Sequence, residues 1–193
     1  MEYGIPLKKE IAEYIAVNEQ EEKDKVLLLE AMDEKDVFTR RNKARHFTAS
    51  SWIVNAKHDK VLMIYHNIYN SWSWTGGHAD GETDLLSVAL REAREETGIR
   101  HIAPVTEHPF SLEILTVDGH IKRGEYVPSH LHLNVTYLLE ADDTDELFSK
   151  PDENSGVKWF SLDQALNACS EPWMVKRIYS KLNDKLIEAG GNR

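Results

Sequence analysis

Cysteine is nearly missing from this chain: Cys169 is the only one in 193 residues. That excludes an intramolecular disulfide and any zinc site caged by thiolates. Long apolar runs are missing too. The nearest is Val26 to Leu29, far short of the roughly 18 residues a membrane span requires. The start, MEYGIPLKKEIAEY, has no apolar stretch like that of a secretory signal. Positive charge is scarce, with 23 Lys+Arg against 33 Asp+Glu and a formal net charge of -10. Non-specific nucleic-acid affinity rests on Lys and Arg displacing counterions, so no nucleic acid and no membrane is expected as a partner. What is present, 41% hydrophobic and 29% charged residues, is the composition of a soluble globular protein long enough to bury a core without staples. A cytoplasmic enzyme or binding protein is the expectation. No internal repeat or low-complexity tract is present.

The first 45 residues differ in texture from the rest. Pro6 sits where a helix begins, and Ile11, Tyr14 and Ile15 recur at helical spacing. Asn18 is placed to cap a second helix with a charged start, Glu19 to Lys25, and an apolar end, Val26 to Met32. Residues 1–45 therefore read as an N-terminal helical extension leaning on a main domain, 46–193. The basic connector Arg40 to Arg45 (RRNKAR) reads as a solvated linker before it reads as a nucleic-acid contact.

From His46 the pattern turns to period two. Phe47 to Val54 and Lys60 to His66 read as strands with a turn at Asn55 to Asp59, and Trp72 and Trp74 alternate with serines on a strand running into Gly76-Gly77. A helix is predicted from Asp84 to Thr97, ended by Gly98 where a left-handed cap belongs. Strands resume at Phe110 to Val117, His130 to Glu140 and Val157 to Phe160. Helices at Leu162 to Cys169 and Trp173 to Ala189 close the chain. Strands and helices mix without a βαβ repeat, which predicts an α+β sandwich with a mixed sheet.

On that central helix, at about 100° per residue, Glu92, Glu95 and Glu96 fall within an arc of about 100°. Leu86, Ala89, Leu90 and Ala93 take a neighbouring arc. One flank enters a core while three carboxylates share a face, and a divalent cation with oxygen preference relieves their repulsion. Taken alone, EAREE is a solvated face with an Arg91 to Glu95 pair. The glycine pair at the end of a strand and Gly98 just past the acidic turn point instead to a metal or phosphate, which a backbone without Cβ can approach.

The stretch Gly76 to Ile99 resembles the Nudix box. Gly77, Arg91, Glu92, Glu95, Glu96, Gly98 and Ile99 match in register, with Ala93 at the first aliphatic place. At typical residue frequencies such matches arise by chance with odds on the order of one in a million. The first Glu of the pattern is Thr83, flanked by Glu82 and Asp84, so either a neighbouring carboxylate substitutes or the role is lost. The resemblance implies a Nudix-type α/β/α sandwich and a magnesium- or manganese-dependent hydrolase of a nucleoside diphosphate linked to another moiety. It implies Glu92, Glu95 and Glu96 as metal ligands, Gly76 as a carbonyl donor and Arg91 as their brace. It also implies a general base on a later loop, where Glu153 is the candidate, with Asp152, Glu146, Glu92 and Glu95 as rivals. Many relatives of that family form a homodimer. It does not cover residues 1–45.

Other residues read less specifically. Tyr69, Trp72 and Trp74 either stack a base or, more often, pack in a core, and Trp159 is assigned to the core. His130, His132, Asn134 and Thr136 share one face of a strand, which lines a phosphate or ribose pocket or faces solvent; a His130/His132 metal site is the minor reading. His78, just after Gly77, reads as a surface histidine first and as a phosphate contact second. Two rival functions stand: a Nudix-like nucleotide sensor without turnover, kept open by Thr83, and an isopentenyl diphosphate isomerase-like enzyme, which would need a catalytic cysteine.

Overall fold

A side-chain cap opens the second helix of the chain. Asn18 accepts from the Glu21 amide at 2.9 Å, and Glu19, Glu21 and Glu22 crowd the first turn behind it, where the helix end favours negative charge. The computed structural model describes residues 5–122 and 124–190, so the outer ends of the two predicted regions, 1–4 and 191–193, lie outside the described residues. Its elements run α1 (Ile5–Glu13), α2 (Glu19–Ala31), β1 (Arg45–Asn55), β2 (Lys60–His66), β3 (Ser71–Ser73), β4 (Thr75–His78), α3 (Leu85–Thr97), β5 (Ile102–Pro104), β6 (Ser111–Val117), β7 (His120–Lys122), β8 (Glu125–Val127), β9 (His130–Ala141), β10 (Asn154–Ser161), α4 (Leu162–Ala168), α5 (Pro172–Met174) and α6 (Ser180–Gly190). A π-helical turn, Val175–Tyr179, joins α5 to α6. Hydrogen-bonded strands follow the order β10-β2-β1-β9-β5, with β3 on β2, β4 on β1 and β6 on β9; β7 and β8 form a separate hairpin.

The chain divides into two compact units. The first comprises Met1–Ser50, Gly76–Ala89 and Thr106–Tyr137. In it β6 pairs antiparallel with β9 from Ser111 opposite Thr136 to Val117 opposite His130. Its core holds Leu7, Ile11, Leu28, Phe47, Leu85, Val88, Leu112, Leu133 and Val135, all at most 4% exposed. The helical pair is part of that core, with α2 packed on β6. Ile15, grouped with Ile11 and Tyr14 by helical spacing, lies past the end of α1 at Glu13 and is 85% exposed.

The second unit comprises Ser51–Thr75, Leu90–Val105 and Leu138–Arg193. There β2 lies between β1 and β10, both antiparallel to it. Its core is Trp52, Ile53, Leu62, Met63, Ala93, Leu139, Ile178, Tyr179 and Leu182. Tyr179, on the π-helical turn, lies against Trp52 with ring centroids 5.2 Å apart, and its hydroxyl accepts from the Trp74 amide at 3.3 Å. Trp72 meets Phe160 edge-on at 4.9 Å. These rings are thus engaged with protein, as the packing alternative anticipates. The single strand expected through Trp72 and Trp74 is two, broken at Trp74: β3 pairs with β2, while β4 pairs with β1.

Candidate active site

The end of α3 is built for a close approach. Gly98 has φ 73°, and a Cβ there would lie 2.8 Å from the Phe148 ring, so the cap and the contact both demand glycine. The Phe148 amide donates to the Thr97 carbonyl at 2.8 Å. Asn154, fully buried, donates from Nδ2 to the Glu96 carbonyl at 2.9 Å and accepts from the Lys150 amide at 3.2 Å. These bonds dock the 150–154 turn on the last turn of the helix, and Lys150 Nζ thereby reaches both Glu95 (3.2 Å) and Glu153 (3.0 Å).

The three glutamates lie at different depths. Glu96 is buried, 3% exposed; the Glu92 side chain keeps 16% of its surface, and that of Glu95 keeps 47%. Arg91 donates to Glu92 at 3.0 Å and lies 4.0 Å from Glu95. Burial pushes the Glu92 carboxyl above the usual carboxylate range, opposed by the hydrogen bond and charge of Arg91. Burial alone would lower the Lys150 ammonium, but its bonds to Glu153 and Glu95 outweigh that and hold it above the usual lysine range.

Sequence-predicted residues thus sort plainly. Glu92, Glu95 and Glu153 meet around two cations, Arg91 and Lys150, and Glu96 lies buried beside Glu92 and Glu95 on the same helix end. Asp152 is exposed, and Glu146 is 71% exposed with Arg100 3.9 Å away. Neither neighbour of Thr83 is spare. Glu82 accepts from the Thr83 and Asp84 amides at 2.8 and 3.0 Å, and Asp84 accepts from the Ser87 amide at 3.1 Å and its hydroxyl at 2.6 Å. Both carboxylates serve the start of α3, where amides lack helical partners. Gly76, in the first unit, has no room for a side chain: a Cβ would sit 2.6 Å from the Ala49 carbonyl oxygen. Cys169 is buried against Ser71 (3.5 Å), and burial pushes its thiol up, which does not suit the isomerase rival. Lys150 and Asn154 carry no signal of their own in the sequence.

The first unit holds two further polar groups. Asn134 and Thr136 do not face solvent: Asn134 accepts from Thr48 and Ser50 at 3.0 and 2.9 Å and donates to Glu113 at 2.9 Å, and Thr136 donates to Glu113 at 2.8 Å, all fully or nearly buried. His46, His78, His130 and His132 gather with one ring nitrogen each, all within 4.8 Å of one another; among the described residues the α3 carboxylates form no such group. Burial holds His132 down to about 2, helped by the neighbouring histidines, and lowers His46 in the same way. A cavity of about 420 Å³ is lined by Glu10, Asp84, Glu107, Thr83 and Tyr137. Three carboxylates make it a poor seat for a polyphosphate.

The family model of the NUDIX domain matches residues 44–181. The asymmetrical bis(5'-nucleosyl)-tetraphosphatase of Rattus norvegicus is 32% identical over 96 residues, 49% of this chain and 58% of that one. The match therefore spans less than two thirds of that relative's length. A C. elegans Ap4A hydrolase solved as a binary complex superposes with a TM-score of 0.50 at 17% identity, over 76% of this chain and 98% of that one. A NUDIX-family hydrolase from Clostridium perfringens gives 0.51 at 23%, over 75% and 98%. These likenesses show a shared fold: a mixed sheet flanked by helices.

Proposed function

Because the chain belongs to the NUDIX family, we propose that it is a metal-dependent hydrolase that cleaves the diphosphate bond of a nucleoside diphosphate linked to another moiety. The observation that carries this is the partly desolvated acidic turn at the end of α3, with Arg91 and Lys150 as its counter-charges. Residues 46–193 would be the catalytic domain and 1–45 its extension, in a cytoplasmic protein whose partner is a small molecule. No helix among the described residues is long and apolar enough to cross a membrane.

The donor set fits a hard cation. Carboxylates suit magnesium or manganese better than imidazoles do, and the raised Glu92 carboxyl is a group that gains from a nearby positive charge. Glu92, Glu95 and Glu96 would hold the ion, with the Gly76 carbonyl that the motif implies; when bound it neutralises phosphate charge and lowers the pKa of attacking water. Arg91 braces the acidic turn, donating to Glu92 and lying 4.0 Å from Glu95. Glu153 is the base that takes the proton of the water, and Lys150 holds its carboxylate in place until substrate competes for the ammonium. A dinucleoside polyphosphate heads the substrate panel, since two relatives are named for acting on one.

A second reading, binding without turnover, draws on the engagement of both Glu82 and Asp84 at the start of α3. A phosphate-release assay with magnesium or manganese over a nucleotide panel, with products resolved by mass, decides between them. Turnover that falls by orders of magnitude in Glu96→Gln, with an almost unchanged melting transition, is the expected result. Full activity in that variant would refute the ligand assignment, and tight binding with no product would favour the sensor.

A further inference from the structure

We propose that His46, His78, His130 and His132 form a second metal site, a four-nitrogen site for zinc, independent of the α3 glutamates. The four ring nitrogens come from the start of β1, the end of β4 and the start of β9, and all lie within 4.8 Å of one another. A tetrahedral zinc with Zn–N of about 2.0–2.1 Å needs nitrogens about 3.3 Å apart. His130 Nε2 and His132 Nε2 are already 3.2 Å apart.

Hydrogen bonding points the lone pairs inward. His46 Nδ1 faces the Asn42 carbonyl at 3.1 Å and His130 Nδ1 faces the Pro128 carbonyl at 2.9 Å. A carbonyl only accepts, so both rings carry their proton on Nδ1 and leave Nε2 as a donor to metal. His46 is 4% exposed, and its Nε2 has no hydrogen-bond partner, a cost that a metal bond removes. With His130 protonated on Nδ1, the short contact to His132 requires the hydrogen on His132 Nε2 in the metal-free protein, and metal binding there requires His132 to carry its proton on Nδ1 instead. Arg40, the nearby positive group, is neutralised by Asp80, which accepts from Arg40 Nε at 2.7 Å. Four imidazoles and no carboxylate suit zinc and its first-row neighbours, not magnesium. Four protein ligands fill the tetrahedron, so the ion is structural and pins β4, whose last residue is His78, to β1 and β9.

The test uses the full chain freed of metal by a chelator and then titrated with zinc or cobalt alone. One zinc per chain, unaffected by millimolar magnesium, and visible tetrahedral cobalt bands are expected. His78→Gln and His132→Gln should each weaken zinc binding by at least about 100-fold, more than the 10–100-fold typical of losing a supporting group. If His132→Gln fails to fold, the partly exposed His78→Gln alone decides. A Glu92→Gln/Glu95→Gln double variant should bind zinc like the wild type and still show the cobalt bands, even when hydrolysis is lost. Absent tetrahedral bands, unchanged affinity in His78→Gln, or zinc binding lost with the glutamates would each overturn the site.

Discussion

Asp145 shows how much one carboxylate can organise. It accepts from the Arg100 and His101 amides at 2.9 and 2.7 Å and from the His101 ring at 2.8 Å. The His101 amide and ring, then the Arg100 amide, hold the carboxyl down to about 2. An unfolded Asp titrates near 3.9, so the unfolded chain binds the proton first as pH falls. The stabilisation is complete above about pH 4 and lost toward pH 2. Asp145→Asn should therefore melt below the wild type at pH 7, with the gap closing as pH approaches 2 in a series of thermal scans. Lys150 gives a second case. Its ammonium occupies Glu95 and Glu153, so it competes with any cation for them. Lys150→Gln should lower the magnesium or manganese concentration for half-saturation severalfold, measured by calorimetry without nucleotide; weaker binding would show that the lysine organises the carboxylates instead. The glutamates were legible in the sequence because one helix sets their spacing. Lys150, Asn154 and the joining of His46 and His78 to the His130/His132 pair were not, because each is brought in by an element remote along the chain, and a lone His or Lys carries no local pattern.

Elements with strong local chemistry matched expectation. Asn18 caps α2, β2 runs from Lys60 to His66, and Gly98 ends α3. Three-residue strands such as β5 and the β7–β8 hairpin escaped because so few residues show no period. The π-helical turn escaped as well, since Trp173 to Ala189 reads as one continuous helix; Tyr179, which packs against Trp52 and Trp74, lies at its end. The polar face of β9 resembled a solvent face because alternation cannot tell water from a buried network around Glu113. Gly98→Ala tests the α3 terminus. Its φ of 73° and the Phe148 ring both oppose a methyl group, so a loss of more than about 1 kcal/mol is expected in urea unfolding. Activity should fall with it, because Phe148 would be displaced from the segment that carries Lys150.

Residues before the family match at 44 belong to the same compact unit as Gly76–Ala89, so they are more than an appendage. Glu21 on α2 is fully buried and accepts from Ser111 Oγ of β6 at 2.8 Å and from Tyr14 at 2.7 Å. Asp24 accepts from the Ile114 amide at 3.1 Å, and the Phe47 amide donates to the Val37 carbonyl at 2.8 Å. Leu7, Ile11, Leu28 and Val37 are at most 4% exposed. Each such side chain contributes about 2 kcal/mol on burial, and a whole domain is stable by only about 5–15 kcal/mol. Removing them would also leave Ser111 without its buried acceptor and bare the face of β6 that α2 covers. A chain cut to residues 44–193 should consequently lose its cooperative melting transition or sediment as aggregate, read by circular dichroism and analytical ultracentrifugation. A melting temperature within a few degrees of the full chain would show that the family domain stands alone and that the helical pair only rests on it. The zinc titration applied to that shortened chain adds a separate reading. His46, His78, His130 and His132 all lie within residues 44–193, but the Asn42 carbonyl that orients His46 does not, so a folded remnant still binds zinc, more weakly by about 10–100-fold, while a collapsed one loses it together with the melting transition.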